Sequence, residues 1–441
     1  MEHVNVIGAG LAGCEAAWQL ASRGINVVLY EMKPIKKTPA HHFDTFAELV
    51  CSNSLRSNQL ENAAGLLKEE LRRLGSLIMK CADQCRIPAG GALAVDRVGF
   101  AECVTQNIIN NKNIKVINME IEELPDDAIT IIATGPLTSD KFSDYIKQII
   151  GEEYLFFFDA AAPIVEYSSI DMAKAFKASR YGRGEDDYIN CPMDKDQYEA
   201  FWHELVNAET VQIKSFEETM VFEGCMPVEV MARRGIDTLR FGPLKPVGII
   251  DPATGKEPYA VVQLRQDNAR ASLYNMVGFQ THLKWSEQKR VFRMIPGLEN
   301  AEFARYGVMH RNTFINSPKL LDSYYCLKKN NKIFFAGQIT GVEGYVESTA
   351  SGIVAGINAA MDFFGKHRID FPDSTATGAL AKYVSNPSIK DFQPMNINYG
   401  IINNQGIRIK GKRKKNLEIS KKALETIGDI ACKITNEYRT I

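Results

Sequence analysis

The chain has 441 residues, with 52 Lys and Arg against 53 Asp and Glu, a formal net charge of -1 and 45% hydrophobic residues. This length predicts two or three domains with a core that needs no disulfide or metal, and the balanced composition excludes disordered, collagen-like and strongly charged classes of protein. The longest apolar stretches are interrupted by Gly, Glu or Asp, so we expect no membrane span.

The first 31 residues have the pattern strand, turn, helix, strand. An apolar run is followed by the glycine-rich turn GAGLAG, by small residues at helical spacing and by a second apolar run that ends at Glu31. In a dinucleotide-binding unit such a turn faces a pyrophosphate, and the terminal acid binds a ribose hydroxyl. A glycine-rich turn without a ligand is the alternative. The turn residues predicted to bind the dinucleotide are Gly8, Ala9, Gly10, Leu11, Ala12 and Gly13.

Two later apolar runs, residues 129–135 and 332–341, each end in a small turn and are expected to belong to the same domain. Residues 347–361 then show apolar residues at helical spacing, so we expect a helix whose N-terminus faces a ligand, an arrangement that suits a flavin ring. The residues of these turns predicted to line the cofactor are Gly135, Gly337, Gln338 and Gly341.

A nucleotide-binding unit that is completed some 300 residues later implies that the intervening chain is an insertion. The insertion mixes strand-like and helical runs and predicts an α+β fold. We therefore expect an α/β protein in which a Rossmann-type domain holds an inserted α+β domain. The expected boundaries are 1–154 and 301–371 for the two parts of the Rossmann-type domain, 155–300 for the inserted domain, and 372–441 for a basic C-terminal extension.

Two cysteines lie in unusual surroundings. Cys225 stands between Gly224 and Pro227 and is expected on a loop. Cys51 is followed by several side chains that form hydrogen bonds. An inert buried thiol is the alternative for Cys225, and a helix-capping segment is the alternative for Cys51.

Basic residues suggest a polyanionic partner. Those after Cys225 favour a thiolate and also suit phosphate; they are Arg233, Arg234, Arg240 and Lys245. Residues 408–415 hold six basic and no acidic side chains, including Lys412, Arg413, Lys414 and Lys415. A solvated surface is the ordinary explanation of such a run, but both groups together make RNA a candidate partner.

The remaining Cys and His residues give weaker signals. Nine cysteines, an odd number without a disulfide pattern, and a start without a secretory signal predict a cytoplasmic protein. Cys81 and Cys85 lack the second ligand pair of a zinc site, so we expect no metal. His41 and His42 belong either to a substrate loop or to a solvated one.

Several segments together resemble the family of flavin- and folate-dependent RNA uracil-5-methyltransferases. They are the GAGLAG turn with Glu31, and residues 39–57, 222–248, 305–321 and 334–352. The resemblance implies FAD, 5,10-methylenetetrahydrofolate as carbon donor, NADPH or NADH as reductant, and a T-loop uridine of tRNA as methyl acceptor. It also implies that Cys225 is the nucleophile that adds to uracil, that Cys51 is the second catalytic cysteine and that Tyr345 lies near the flavin.

Four alternative functions stay open. The same chemistry on ribosomal RNA would keep every motif. A related flavin protein that modifies the tRNA wobble position shares the segment around Gln338, but it needs a longer helical part after residue 362. A small-molecule flavin oxidoreductase would leave Cys225 and the basic residues unexplained. The fourth is an RNA chaperone that keeps flavin only for structure.

Overall fold

The computed structural model describes residues 2–152, 154–182, 185–211, 226–404 and 406–439. The strands are β1 Val4–Ile7, β2 Val27–Glu31, β3 Ser54–Ser57, β4 Arg86–Ile87, β5 Ala92–Val95, β6 Ile114–Asn118, β7 Thr130–Ile132, β8 Leu155–Ala160, β9 Ile164–Glu166, β10 Phe176–Ala178, β11 Tyr188–Met193, β12 Ala260–Gln266, β13 Leu273–Met276, β14 Phe303–Arg305, β15 Met309–Phe314, β16 Cys326–Leu327 and β17 Asn330–Phe335. The helices are α1 Leu11–Ala21, α2 Ala63–Arg73, α3 Leu77–Gln84, α4 Arg97–Ile109, α5 Asp140–Ile150, α6 Lys195–Asn207, α7 Val228–Arg233, α8 Thr238–Phe241, α9 Trp285–Phe292, α10 Ser317–Leu320, α11 Tyr345–Phe363, α12 Ala376–Val384 and α13 Lys412–Arg439. None of these helices has the length and apolar character needed to cross a membrane.

A six-stranded sheet organises the nucleotide-binding part, in the order β16-β17-β7-β1-β2-β6. All neighbours are parallel except β16, which pairs antiparallel with β17 at one edge. Every residue of β1 is buried, as expected for the centre of a parallel sheet covered on both faces. The apolar runs predicted at residues 129–135 and 332–341 supply β7 and β17. The predicted α/β, Rossmann-type fold is confirmed.

Helices α1 and α11 pack closely because small residues face each other. A methyl group added at Gly352 would lie 2.4 Å from the Ala12 carbonyl oxygen, and one at Gly356 would lie 3.0 Å from Ala16 Cα. Since Gly352 faces Ala12 and Gly356 faces Ala16, the two helices run in the same direction. Their N-termini therefore lie at the same end of the sheet.

The inserted region has its own antiparallel sheet, in the order β10-β11-β12-β13-β9-β14. A two-stranded ribbon of β8 and β15 precedes and follows it in the chain, with Leu155 opposite Phe314 and Ala160 opposite Met309. Strand β14 pairs with β9 although it lies beyond residue 300. We retain residue 155 as the proposed start of the insertion.

The C-terminal part packs on the nucleotide-binding part. Buried Glu70 of α2 accepts hydrogen bonds from the backbone amides of Ala376 and Thr377 and thereby caps α12. Arg73 of α2 donates to the Leu424 carbonyl oxygen of α13 at 2.8 Å. The extension that the sequence analysis described only as basic thus contains a long helix with a buried face.

Candidate active site

One cavity of about 430 Å³ lies where the carboxyl ends of β1, β2, β7 and β17 meet, the usual position of ligand sites in open α/β sheets. Gly13 and Gly341 are not part of its wall. Gly13 instead lets α1 approach the turn, because an added methyl group would lie 1.8 Å from the Gly8 carbonyl oxygen. The predicted site residues in the wall are Gly8, Ala9, Gly10, Leu11, Ala12, Glu31, Cys51, Gly135, Gly337, Gln338 and Tyr345.

The glycine-rich turn fits a pyrophosphate. Gly10 is the N-cap of α1, and as a glycine it has no side chain that could accept a hydrogen bond from the first turn. A methyl group added at Gly10 meets no heavy atom within 4 Å, so open space adjoins the helix N-terminus. Backbone amides and the positive end of a helix dipole attract phosphate. The turn therefore suits the diphosphate of FAD.

Glu31 lies beside this turn at the end of β2. Its carboxylate is buried and accepts hydrogen bonds from Ala9 N at 2.7 Å and from Lys33 N at 3.0 Å. A carboxylate at this place in a nucleotide-binding unit accepts the ribose hydroxyls. Each of its oxygens keeps a lone pair for that purpose.

The N-terminus of α11 closes the opposite side of the cavity. Gly337 N donates to Ser351 Oγ at 2.7 Å, which ties the turn after β17 to this helix. The Gln338 amide donates to Glu343 Oε2 at 2.6 Å. Helix α11 begins at Tyr345, two residues before the helical pattern predicted from the sequence.

Cys51 lies half-buried on a loop that Tyr345 holds. The Tyr345 hydroxyl oxygen accepts hydrogen bonds from Cys51 N at 2.8 Å and from Ser52 N at 3.2 Å. Burial raises the pKa of Tyr345 well above its ordinary value, so the phenol is neutral at physiological pH. The cavity thus brings a thiol next to the predicted flavin site.

Two buried arginines contact the same loop, Arg265 from the inserted region and Arg97 from the nucleotide-binding part. Arg265 Nη2 donates to Ser52 Oγ at 2.8 Å, and its Nε donates to Asn53 Oδ1 at 3.1 Å. Arg97 of α4 donates to the Leu49 carbonyl oxygen and forms a bidentate pair with Asp267 at 2.8 and 3.2 Å. The loop is therefore fixed between the two parts of the molecule.

The sequence analysis did not single out Arg97, Arg265 or Asp267. The sequence does contain an indication for Arg265, because this charged residue lies in the strand-forming run Ala260–Gln266, which is a largely buried strand in the structure. A buried arginine needs partners. The partners of Arg265 could not be predicted from the sequence around it, because Arg265 and Asn53 are 212 positions apart.

The two adjacent histidines occupy different environments. His41 lines the cavity, and its Nδ1 lies 2.6 Å from Thr38 Oγ1. His42 is outside the cavity wall, and its backbone amide donates to Glu48. Burial, reinforced by the positive charge of Arg305, lowers the pKa of His42 and favours its neutral form.

Cys225, predicted to lie on a loop, is outside the described residues. The described chain resumes at Met226, and Val228 N donates to the Gln280 carbonyl oxygen at 2.8 Å. Gln280 is part of the cavity wall. The segment that follows Cys225 in the sequence thus meets this wall.

The predicted RNA-binding residues form two groups on different elements. In the inserted region, Arg233, Arg234 and Lys245 are exposed, whereas Arg240 pairs with Asp237 at 2.6 Å and lies over the Tyr259 ring. The second group begins α13, where Lys412, Arg413 and Lys414 are exposed and Lys415 is half-buried. Arg413 pairs with Glu61 at 2.9 Å. Within the described ranges, no group of three His, Cys, Asp or Glu residues has the arrangement of a metal site.

Comparisons of the sequence identify relatives along almost the whole chain. The sequence model of the family described as Glucose inhibited division protein A matches residues 3–367. A protein of Acetivibrio thermocellus, methylenetetrahydrofolate–tRNA-(uracil-5-)-methyltransferase TrmFO, is 69% identical over 433 residues, which are 98% of this chain and 99% of the relative. The protein of that name from Bacillus subtilis is 60% identical over 428 residues, which are 97% of this chain and 98% of the relative.

Among solved structures, GidA of Aquifex aeolicus has a similar fold. Its form II crystal structure aligns with a TM-score of 0.72 at 18% identity and covers 98% of this chain and 73% of that chain. The form I crystal structure gives the same TM-score and identity and covers 76% of that chain. At this identity, the likeness concerns the fold alone.

Proposed function

Since this chain belongs to the methylenetetrahydrofolate–tRNA-(uracil-5-)-methyltransferase family, we propose that it methylates carbon 5 of a uridine in tRNA. The carbon donor is 5,10-methylenetetrahydrofolate and the hydride donor is reduced FAD. We further propose that the target is the T-loop uridine and that NADPH or NADH reduces the flavin. We place the protein in the cytoplasm, because its odd number of cysteines suits reduced thiols.

The observation that carries this proposal is the position of Cys51. Its loop forms one wall of the cavity that also contains the glycine-rich turn, Glu31 and the N-terminus of α11. A thiol beside a dinucleotide site is what a methylation that ends in a reduction requires.

The chemistry explains the need for two cysteines. Carbon 5 of uracil is a weak nucleophile, but addition of the Cys225 thiolate at carbon 6 produces an enolate that attacks the folate methylene. Loss of the carbon-5 proton and departure of the folate nitrogen leave an exocyclic methylene. FAD held by the glycine-rich turn and Glu31 would, when reduced, supply the hydride that makes this methylene a methyl group, with departure of the Cys225 thiolate.

We assign removal of the carbon-5 proton to Cys51. Tyr345 accepts a hydrogen bond from the Cys51 backbone amide and Arg265 donates to the Ser52 side chain, so the loop that carries the thiol is held at the cavity wall. A general base must be within hydrogen-bond reach of the proton it removes, and a held loop favours such a geometry.

Positive charge supplies affinity for the RNA. We propose that Arg233, Arg234, Arg240 and Lys245 of the inserted region contact phosphates, and that Lys412, Arg413, Lys414 and Lys415 of α13 add to this surface. A T-loop base has to be turned out of its stack to reach the cavity.

The test is an incubation of the purified protein with FAD, NADPH, methylenetetrahydrofolate and, in separate reactions, unmodified tRNA or ribosomal RNA, followed by mass spectrometry of the nucleosides. We expect 5-methyluridine in tRNA and none when folate is omitted. The Cys225→Ala and Cys51→Ala variants should bind flavin but form no product, whereas Cys432→Ala, changed at an exposed position of α13, should be fully active. Product in ribosomal RNA alone would mean that ribosomal RNA, and not tRNA, is the substrate. No product with either RNA, despite bound flavin, would favour a small-molecule oxidoreductase.

A further inference from the structure

Arg265 is a buried cation with neutral partners. Only 8% of its surface is exposed, and it lines the cavity from strand β12. Its hydrogen bonds go to Asn53 Oδ1 at 3.1 Å, Ser52 Oγ at 2.8 Å and Asn275 Oδ1 at 3.4 Å. In the part of the chain that the structure describes, no carboxylate forms an ion pair with it. A buried charge without a counter-charge is costly.

The carboxylate of Asp267, two residues after Arg265 in the chain, is already neutralised. Both oxygens of Asp267 accept hydrogen bonds from Arg97, at 2.8 and 3.2 Å. This pair resembles the fork geometry in which a guanidinium and a carboxylate compensate each other. Arg265 therefore leaves one unbalanced positive charge beside the cavity.

The charge is directed at the Cys51 loop. Arg265 holds the two residues that follow Cys51, and Arg97 donates to Leu49 two residues before it. Burial lowers the pKa of Arg265, whereas Tyr188, Asp267 and Cys51 act in the opposite direction. Because Ser52 and Asn53 directly follow Cys51 in the chain, their hydrogen bonds to Arg265 place the guanidinium beside the loop that carries the thiol.

The other charged and titratable groups around the loop do not remove this imbalance. Tyr345 is kept neutral by burial and accepts the Cys51 amide. Arg305 of β14 brings a further positive charge, and burial lowers its pKa. Glu48 brings one negative charge and accepts hydrogen bonds from the amides of His42 and Phe43. His42 is neutral, so the surroundings of Cys51 keep a positive excess.

We propose that Arg265 is a positioning residue whose guanidinium is the charge partner of the Cys51 thiolate, so that the inserted region activates a cysteine of the nucleotide-binding part. This rests on the proposed function only in taking Cys51 as the catalytic base. A nearby cation favours the thiolate over the thiol.

The experiment measures the alkylation rate of Cys51 by iodoacetamide as a function of pH, with mass spectrometry of the Cys51 peptide, in the flavin-bound protein. The exposed Cys432 of the same molecule is the internal reference. We compare the unchanged protein with Arg265→Gln, Arg265→Lys and Arg180→Gln. Arg180 is a matched control because its guanidinium donates to Gln263 and Val247 of the inserted region, not to the Cys51 loop.

In the unchanged protein we expect the midpoint of the Cys51 profile below the value of about 8.5 for an ordinary thiol. Arg265→Gln should raise this midpoint by about one pH unit, which slows alkylation about tenfold at pH 7. Arg265→Lys should restore most of the effect, and Arg180→Gln and the Cys432 profile should not change. A lost structural contact alone would not produce this dependence on charge.

An unchanged Cys51 midpoint in Arg265→Gln with normal flavin content would overturn the proposal. Should that variant fail to fold, a Cys51 midpoint at or above about 8.5 in the unchanged protein would do the same. Because alkylation involves no RNA, a shifted Cys51 profile together with absence of 5-methyluridine would contradict the proposed function and leave the role of Arg265 intact.

Discussion

Tyr345 has two consequences for the site. Its oxygen accepts two backbone amides of the Cys51 loop, and its raised pKa keeps the hydroxyl proton in place. With its lone pairs engaged, the phenol has one donor left, its own O–H, for a group in the cavity. A single side chain thus positions the thiol and offers a hydrogen bond to a ligand.

Tyr345→Phe should therefore lower the methylation rate without loss of flavin. Two half-buried amides lose their acceptor, which costs about 0.5–1.5 kcal/mol each, and the Cys51 loop becomes less well positioned. We expect a fall in kcat of at least about tenfold. Steady-state methylation assays and flavin absorbance check this, and wild-type kcat in the variant would show that Tyr345 does not hold the loop in a productive geometry.

Gly10→Val tests the placement of the dinucleotide. The space beside Gly10 is open to an added β-carbon, and a valine side chain would extend into the position assigned to the pyrophosphate. We expect a folded protein that purifies without FAD. Circular dichroism establishes folding and absorbance establishes flavin content; a yellow Gly10→Val protein with normal affinity for FAD would place the phosphates elsewhere.

At the scale of elements, the contact between α1 and α11 fixes the shape of the cavity, because both helices direct their N-termini towards it. The contact depends on glycine at the points of closest approach. In helix α13, by contrast, packing does not require glycine at position 428, because a methyl group added at Gly428 meets no heavy atom within 4 Å.

Gly352→Ala and Gly428→Ala should therefore have opposite effects on stability. The first places a methyl group 2.4 Å from the Ala12 carbonyl oxygen and should destabilise by about 1–3 kcal/mol through overpacking. The second should stabilise by about 0.5–1 kcal/mol, since alanine restricts the unfolded chain at no steric cost. Urea unfolding of both variants measures the difference, and a shift of the same sign in both would refute the packing argument.

Glu70, at the contact of α2 with α12, predicts a dependence of stability on pH. Burial raises the pKa of its carboxyl group from 4.5 to about 7. The folded state therefore binds a proton that the unfolded state releases between pH 4.5 and pH 7, and the stabilisation is complete below pH 4.5 and lost as pH rises through 7.

Glu70→Gln removes this titration. Relative to the variant, the unchanged protein should lose about 1.4 kcal/mol per pH unit between pH 5 and pH 7. Urea unfolding of both proteins across this range provides the measurement. Parallel pH profiles would mean that the Ala376 and Thr377 amides keep the carboxylate charged at its ordinary pKa.

For the molecule as a whole, local pattern and long-range packing contribute differently to what can be predicted. The glycine-rich turn and the strands at β7 and β17 could be predicted because turn chemistry and apolar periodicity are local. The ion pair of Arg97 with Asp267 spans 170 positions and leaves no local trace. The same holds for the contact of Arg265 with Asn53.

The C-terminal part shows that a local signal can also be overlooked. Ile419, Ala423 and Ile427 are buried at helical spacing in α13. This helical spacing is present in the sequence, next to the basic run at residues 408–415 that predicts only a basic extension. The buried face allows α13 to pack on α2 while its first turn presents basic residues.

The central claim is that the methyl carbon comes from folate and is completed by reduction, and an isotope measurement tests it most directly. The protein is incubated with tRNA, NADPH and methylenetetrahydrofolate that carries two deuterium atoms on the methylene carbon. The mass of the resulting 5-methyluridine is then measured by mass spectrometry. The account predicts a methyl group that retains both deuterium atoms and gains one further hydrogen. 5-Methyluridine without deuterium, formed at the same rate when folate is left out, would contradict it.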